Sequence, residues 1–373
     1  MKGLLNTHYK QKIASLPQNK SLLPSLVPPS PHGTTTAGPQ DRRRGSAVRW
    51  RRSPDSEAYR ELPTADCRLP TVDKHRLAIL VDRRGWAYHE KAVEKAAYIG
   101  DEWHTEIFFL EDKPDIDPSK FDLLYNFNHT PSKYDALFHG RLIKGLYSHY
   151  YLGSFIPWRY IYNMVKHASV LVVANSAQAE EISPYFRNTV VLPDGVDTEK
   201  FHPERERTGD DIVAGWSGNP DRRLNGSRVK RFYEVVEPAC RAAGVELKVG
   251  RNMDRNELRK MYNDVDVVLI GSLTEGNPLC LFEAGACGRT VIATRVGVVP
   301  EVIEDGVDGF IIDSTLSDLQ TSDLLTFRLR WCQEHPAETR KMGLRLRDKI
   351  LSTRTPKKTG AAFNDLLNHL ITS

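Results

Sequence analysis

The sequence contains few cysteines and no long apolar run. Its five cysteines among 373 residues are odd in number, lie far apart and form no C-x-x-C pair, so they indicate neither a disulfide framework nor a zinc site. No stretch approaches the ~18–20 uncharged residues of a membrane-spanning helix, and the first apolar run is too short for a signal peptide. The sequence therefore predicts a cytoplasmic protein whose contact with a membrane, if it has one, is peripheral.

Two nucleotide-binding motifs are also missing. There is no G-x-x-x-x-G-K-[ST] phosphate loop and no G-x-G-x-x-G after a strand-like run, which argues against nucleotide hydrolysis and dinucleotide redox chemistry. Hydrophobic residues make up 40% and charged residues 27%, a mixture typical of a soluble globular protein. A chain of this length is expected to form two domains of ~100–200 residues plus irregular segments.

The segment 1–70 differs in composition from the rest. It holds nine of the 22 prolines, and twelve Lys or Arg residues against five Asp or Glu. Such a composition predicts a disordered or irregular extension. A solvated tail without function is the favoured interpretation, and an electrostatic contact with DNA or an anionic membrane is the alternative.

From Arg76 onward, short apolar runs alternate with amphipathic stretches, which favours an α/β fold of parallel sheets covered by helices. The ten strand-like runs span 76–81, 106–110, 122–127, 142–147, 169–176, 211–216, 245–250, 265–272, 289–295 and 308–313. Two Rossmann-like domains in tandem are predicted. Because parallel sheets bind ligands at the carboxyl ends of their strands, two such domains imply a cleft between them.

The predicted domain boundaries follow turn and proline signals. The first domain is expected over 71–200 and the second over 201–350, with a linker at 190–203 that contains Asp194-Gly195. Three helices are predicted after residue 321, with breaks at Pro336 and Pro356. The last of them, within 351–373, is expected to pack back towards the first domain.

The stretch 265–312 is the most informative. A strand-like run is followed by Glu275, and a helix is predicted to begin with Asn277 as its cap and Pro278 as its first residue. The backbone N–H groups at such a helix start suit the diphosphate of a nucleotide, and Glu283 lies about one and a half turns further on. Two carboxylates at this place can accept hydrogen bonds from sugar hydroxyls. The residues predicted to contact the nucleotide here are Gly276, Asn277, Pro278, Leu279 and Cys280.

This stretch resembles the signature of the family-four retaining glycosyltransferases of the GT-B fold. Glu275 and Glu283, with seven residues between them, lie within EGNPLCLFEAGACGRTVIATRVGVVPEVIEDGVDGFII. VLVVANSAQAEEI, LPDGVDTEKFHP and AGWSGNP are similar to other segments of that family. The resemblance implies two Rossmann-like domains facing across a cleft and metal-independent, retaining transfer of a hexosyl group from a nucleotide sugar. It implies no cofactor beyond this nucleotide-sugar donor.

The resemblance also assigns residues of the donor site. It implies that Glu275 positions the sugar, Glu283 the ribose and Lys230 the diphosphate, although Arg231 stands where the family usually has glycine. The companion arginine stays open among Arg222, Arg223 and Arg228. Loop residues after two strands are further candidates for donor contact, with an ordinary surface role equally favoured: Ser217, Gly218, Asn219, Arg251 and Asn252.

The first domain offers fewer candidates. Gly85 follows the first strand-like run, where the family has a glycine loop near donor and acceptor. The family's catalytic histidine corresponds to His149, with His129 as the competitor. A packed or solvated histidine without a catalytic role is equally favoured.

Two Asp-x-Asp pairs are candidates for a metal site. Asp115 with Asp117 and Asp264 with Asp266 fit the pattern by which metal-dependent glycosyltransferases of the other major fold hold manganese. Such pairs arise often by chance in a chain with 48 acids, so no metal site is predicted.

The sequence leaves the substrates open. UDP- and GDP-sugars are the expected donors, and a saccharide or lipid-linked glycan is the expected acceptor, on the family resemblance alone. Hydroxylated bases in DNA are a second acceptor hypothesis. A catalytically degenerate sugar-nucleotide sensor or scaffold is the non-enzymatic alternative. The sequence does not indicate an oligomeric state.

Overall fold

Thirteen β-strands form two parallel sheets and a small hairpin in the computed structural model, which describes residues 74–85, 87–147 and 158–372. All ten predicted strand-like runs contain a strand. The predictions made for 1–70 and for His149 lie outside the described residues.

The first sheet has six strands in the order β2-β1-β3-β4-β5-β6, all parallel. The strands are β1 His75–Val81, β2 Trp103–Phe109, β3 Leu123–Asn126, β4 Leu142–Leu146, β5 Val170–Val173 and β6 Thr189–Val191. The centre of β1 is an apolar run that is fully buried, because helices cover both faces of a parallel sheet. The helices of this part are α1 Ala87–Ala97, α2 Lys133–Leu137, α3 Trp158–Val165 and α4 Ser176–Ile182.

The second sheet has five parallel strands in the order β10-β7-β11-β12-β13. The strands are β7 Val213–Ser217, β10 Glu246–Gly250, β11 Val267–Ile270, β12 Thr290–Thr294 and β13 Phe310–Ile312, and the separate hairpin pairs β8 Arg223–Leu224 with β9 Ser227–Arg228. A π-helical turn, Phe232–Val236, precedes the helices of this part. These are α5 Glu237–Ala243, α6 Arg255–Asn263, α7 Leu279–Ala286 and α8 Val299–Val302.

Three helices end the chain, as predicted: α9 Asp318–Glu334, α10 Pro336–Thr353 and α11 Pro356–Thr372. The first packs on α5 and the second on α7. The third packs on α1, and its Phe363 and Leu367 lie in the same core as Leu77 and Tyr125 of the first sheet. No described helix is both long and apolar enough to span a membrane.

Two local predictions were wrong. The linker predicted at 190–203 begins inside a strand, because Thr189–Val191 pairs with β5 and extends the first sheet by one edge strand. The helix predicted to start at Pro278 starts at Leu279, and Pro278 is its extended N-cap residue with φ −68° and ψ 106°. The predicted α/β class with parallel sheets is confirmed.

Candidate functional site

A pocket of about 400 Å³ opens where β7, β10 and β11 end. This is the carboxyl edge of the second sheet, where parallel sheets bind ligands. Its lining residues are Ser217, Gly218, Asn219, Arg222, Lys230, Gly250, Asn252, Met253, Arg255, Leu258, Glu275, Asn277, Pro278, Leu279, Cys280 and Glu283. The structure therefore brings together eleven predicted donor-site residues and one of the three candidate arginines, and these residues lie up to 66 positions apart in the sequence.

An ion pair crosses this pocket. Lys230 Nζ donates to Glu275 Oε1 at 2.6 Å, and Ser272 Oγ donates to the same oxygen at 2.7 Å. The Glu275 and Lys230 side chains are 11% and 17% exposed. Because both groups are largely shielded from water, their attraction is stronger than that of a surface pair. The pair places one cation and one anion within reach of the same ligand.

Glu283 lies deeper, on α7. Its Oε2 accepts from the Tyr262 hydroxyl at 3.2 Å and its Oε1 lies 3.2 Å from an Arg255 nitrogen. Burial raises the pKa of Glu283 above its ordinary value, and Arg255 opposes that shift. The Tyr262 hydroxyl also contacts Ser217 Oγ at 2.9 Å. This network holds the Glu283 carboxylate in one orientation at the pocket wall.

Asn277 does not cap the helix as predicted. Its Nδ2 donates to Asp194 Oδ2 at 2.6 Å, so the amide is engaged in a tertiary contact and the helix begins two residues later without a side-chain cap. The first N–H groups of α7 have no carbonyl one turn earlier to bond to. They and the helix dipole favour an anion at this end of the pocket.

The loop before α7 is held through the carbonyl of Gly276. That oxygen accepts from Val298 N at 3.0 Å and from Asn175 Nδ2 at 3.1 Å. Gly297, beside it, has a φ of +51°, and a Cβ there would lie 2.1 Å from the Gly276 oxygen. The shape of the loop between Glu275 and Asn277 therefore depends on glycine at position 297.

Arg231 occupies a left-handed position, with a φ of 46°. Glycine adopts this conformation at little cost, which accounts for the glycine usual there in the resembling family. The guanidinium is buried, donates from Nε to the Gly271 carbonyl at 2.7 Å and pairs with Asp318. Arg231 thus ties the end of β11 to α9, immediately beside Lys230.

The structure separates the three candidate arginines. Arg222 lines the pocket, whereas Arg223 donates to the Gly226 carbonyl and Arg228 pairs with Glu234 at 2.9 Å. Arg251, predicted near the base, pairs with Asp221 at 3.0 Å and with the Tyr233 hydroxyl. Its neighbour Asn252 lines the pocket instead.

The candidates of the first domain, Gly85 and His129, are not lining residues of this pocket. Gly85 has a φ of +71°, and its N–H donates to His89 at 3.0 Å. Burial, assisted by Lys144, lowers the pKa of His129 to about 4. His129 is therefore neutral at physiological pH.

The two Asp-x-Asp pairs lie elsewhere. Asp117 accepts from Ser119 N in a short turn at the molecular surface. Asp266 is buried and pairs with Arg207 and Arg340 at 2.9 and 3.1 Å. Neither pair belongs to the lining of the pocket described above.

Sequence reasoning missed several pocket residues. Met253, Arg255 and Leu258 line the pocket, and Tyr262 supports Glu283. One local signal was available: Asp254 and its partner three residues later form a capping box that starts α6 directly after β10. That signal places Arg255 at the carboxyl edge of the sheet.

One segment of the second half matches a known family model. Residues 234–330 match the family model described as glycosyl transferases group 1. A D-inositol 3-phosphate glycosyltransferase from Mycolicibacterium vanbaalenii is 36% identical over 80 residues, which cover 19% of this chain and 18% of the relative. One from Stackebrandtia nassauensis is 26% identical over 193 residues, 40% of this chain and 44% of the relative. The chain thus matches less than half the length of these relatives.

Solved structures are similar to this chain in fold. Anabaena HepE in complex with UDP superposes with a TM-score of 0.61 at 14% identity, covering 79% of this chain and all of HepE. A sucrose-phosphate synthase from Thermosynechococcus elongatus gives 0.61 at 12% identity, covering 80% of this chain and all of that one. The predicted GT-B fold is confirmed, and so is the resemblance to the family-four glycosyltransferases.

Proposed function

We propose that this chain transfers a sugar from a nucleotide diphosphate sugar to a hydroxyl acceptor. One observation carries the proposal: Lys230, Glu275, Glu283 and the start of α7 surround a single pocket at the carboxyl edge of the second sheet. A cation and helix-start N–H groups suit a diphosphate, and carboxylates suit sugar hydroxyls. This is the combination of groups that a nucleotide sugar presents.

Each carboxylate has a separate proposed partner. Glu283, fixed by Tyr262 and Arg255, accepts from the ribose hydroxyls. Glu275 accepts from the transferred sugar, while Lys230 turns from Glu275 to the diphosphate. The ion pair between Lys230 and Glu275 is thereby exchanged for two contacts with the donor, so neither charge loses a partner.

The proposed reaction keeps the configuration of the sugar and uses no metal. The bond from the anomeric carbon to the diphosphate oxygen breaks, the acceptor oxygen bonds to the same face of that carbon, and its proton passes to the leaving diphosphate. Lys230 and the start of α7 stabilise the negative charge on the leaving group. His149 is proposed to contact the sugar and acceptor as positive charge develops.

UDP or GDP is the proposed nucleotide, and a saccharide or glycolipid is the proposed acceptor. HepE, which shares the fold, was solved with UDP, which supports testing UDP-sugars first. A hydroxylated base in DNA stays the second acceptor hypothesis, with segment 1–70 as its proposed contact.

A thermal-shift panel of UDP, GDP and their sugars tests the donor proposal. A ligand at a hundred times its Kd stabilises a protein by ~2.7 kcal/mol, and release of free sugar then reports donor turnover. Stabilisation with turnover supports the enzyme. Stabilisation without turnover in the presence of saccharide or glycolipid acceptors would favour a sensor, and no stabilisation by any nucleotide would contradict the donor site.

A further inference from the structure

A buried contact beside the donor pocket joins the half of the structure built on the first sheet to the half built on the second. Asp194 follows β6, Lys91 lies on α1, and Asn277 lies on the loop before α7. Asp194 Oδ2 accepts hydrogen bonds from Lys91 Nζ and from Asn277 Nδ2. The Asp194 side chain is 4% exposed. A carboxylate of the first sheet's half therefore holds a side chain that lines the donor pocket.

Asp194 is ionised. Burial alone would raise its pKa, but Lys91 and Lys95 reverse that shift and hold the pKa below its ordinary value. The Arg354 guanidinium also attracts the Asp194 carboxylate, whereas the nearby Glu94 carboxylate repels it. An ionised carboxylate only accepts hydrogen bonds. The Asn277 amide must therefore present its nitrogen to Asp194.

This orientation fixes the other atom of the amide. Asn277 Oδ1 is buried and has no hydrogen-bond partner within the part of the chain that the structure describes. A buried carbonyl oxygen without a donor costs free energy and is rare in folded proteins. Asn277 lines the pocket two residues after Glu275. The hydrogen-bond donors that a nucleotide sugar would bring to this place are the hydroxyls of its sugar.

The structure assigns Asn277 as an acceptor for a hydroxyl of the transferred sugar and Asp194 as the positioning residue that orients it. The assignment rests on the proposed glycosyl transfer and adds a sugar contact to it. Because Lys91 holds Asp194 from α1, the contact is set by the first sheet's half. Asp194 itself is not a lining residue of the donor pocket, so it would act on the sugar only through the Asn277 side chain.

A double-mutant cycle tests whether Asp194 acts through Asn277. Asp194→Asn keeps the shape but removes the charge that dictates the amide orientation, and Asn277→Ala removes the acceptor. Each should lower kcat/KM for the sugar donor by about tenfold or somewhat less, the value of one hydrogen bond. The double variant should be no worse than Asn277→Ala. The affinity for the bare nucleotide diphosphate should change less than about twofold.

Asp266→Asn is the matched control. Asp266 is another buried carboxylate held by two cations, and its replacement should lower the melting temperature while leaving kcat/KM unchanged. If Asp194→Asn does not fold, Asp194→Glu keeps the charge and displaces the carboxylate. It should lower kcat/KM in the wild type but not in Asn277→Ala.

Three results would overturn the assignment, and the last of them would overturn the proposed function as well. Equal losses from the change at 194 in both backgrounds would show that Asp194 does not act through Asn277. Equal weakening of bare nucleotide and sugar donor by Asn277→Ala would show that Oδ1 does not contact the sugar. Failure of the wild type to bind any nucleotide sugar would overturn the proposed function, and this assignment with it.

Discussion

Lys230 Nζ lies 2.6 Å from Glu275 Oε1 across the donor pocket, although the two residues are 45 positions apart. Each is the proposed partner of a different part of the donor, so binding of the donor must separate the two groups. The pair compensates one positive and one negative charge that are both largely shielded from water.

The first prediction concerns this pair. Glu275→Gln should lower turnover about 100-fold, because the sugar loses a charged acceptor. Bare nucleoside diphosphate should bind at least as tightly as in the wild type, because Lys230 no longer has to leave a carboxylate. Calorimetric titration with UDP or GDP and donor turnover measure the two effects.

The reciprocal change should behave differently. Lys230→Met should weaken the bare nucleotide and the sugar donor together, by about tenfold or more. Lys248→Met is the control, because Lys248 pairs with Asp264 at 3.6 Å and is not a lining residue of the donor pocket. Unchanged nucleotide affinity in Lys230→Met would remove Lys230 from the diphosphate site.

The second prediction uses the raised pKa of Glu283. A buried acid whose pKa is raised binds its proton more tightly in the folded state, so the folded state loses stability as the pH rises from the unfolded pKa through the folded one. Glu283→Gln removes this loss. The ligand-free variant should melt about 2 °C or more above the wild type at neutral pH.

The same variant should bind nucleotides more weakly, because the amide replaces the charged ribose acceptor. The difference in melting temperature should shrink as the pH is lowered from 7 towards 4, since the wild-type carboxyl is then protonated. A difference that does not vary with pH would contradict the titration of Glu283, and unchanged nucleotide affinity would contradict its contact with ribose.

The third prediction separates the two histidines. His149→Ala should reduce turnover by about 100-fold while leaving donor affinity within a few-fold. His129→Ala is the comparison. With its pKa lowered to about 4 by burial and by Lys144, His129 is neutral between pH 5 and 8 and contributes no step to the activity profile in that range.

The stability of the fold should still depend on His129. Because the pKa of His129 is lowered in the folded state, the unfolded chain binds the proton more tightly. The resulting stabilisation of the fold is complete above about pH 6.5 and is lost as the pH falls towards 4. Loss of turnover in His129→Ala, with full activity in His149→Ala, would reverse the assignment of the two loops.

Metal dependence is the fourth prediction. Because Lys230 and the start of α7 can stabilise the leaving diphosphate, donor turnover should persist at full rate after treatment with EDTA. The measurement is sugar release before and after chelation. A loss that manganese restores would instead point to one of the Asp-x-Asp pairs.

The sequence predicted the sheets better than the loops. The strand runs are apolar on both faces and can therefore be predicted without knowledge of their neighbours. In contrast, β6 is only three residues long, and the predicted linker overlaps it. The cap assigned to Asn277 failed because its amide binds Asp194, 83 positions away. The helix propensity of a local segment gives no information about so distant a partner.

The residues of the donor pocket could likewise be predicted only where they lie close together in the sequence. Glu275 and Glu283 were predicted because their spacing lies within one segment. Arg255 and Tyr262 belong to another helix, and their contact with Glu283 depends on how α6 packs beside α7. The left-handed backbone conformation of Arg231 could not be predicted either, because arginine gives no local signal for that conformation.

The fifth prediction concerns Gly297, which shapes the donor loop from outside the pocket. Gly297→Ala should weaken the binding of the sugar donor about tenfold or more, because its methyl group would lie 2.1 Å from the Gly276 carbonyl oxygen. That oxygen bonds to Val298 N and Asn175 Nδ2, so the clash moves the loop that carries Glu275.

Gly306→Ala is the matched control, because Gly306 also has a positive φ, +79°, but no atom within 4 Å of its added Cβ. Both variants have the backbone strain of about 1 kcal/mol that alanine experiences in this region, and only Gly297→Ala has the clash. Thermal melts and donor titration separate these effects. Equal losses of stability with unchanged donor binding in both variants would show that the loop does not depend on Gly297.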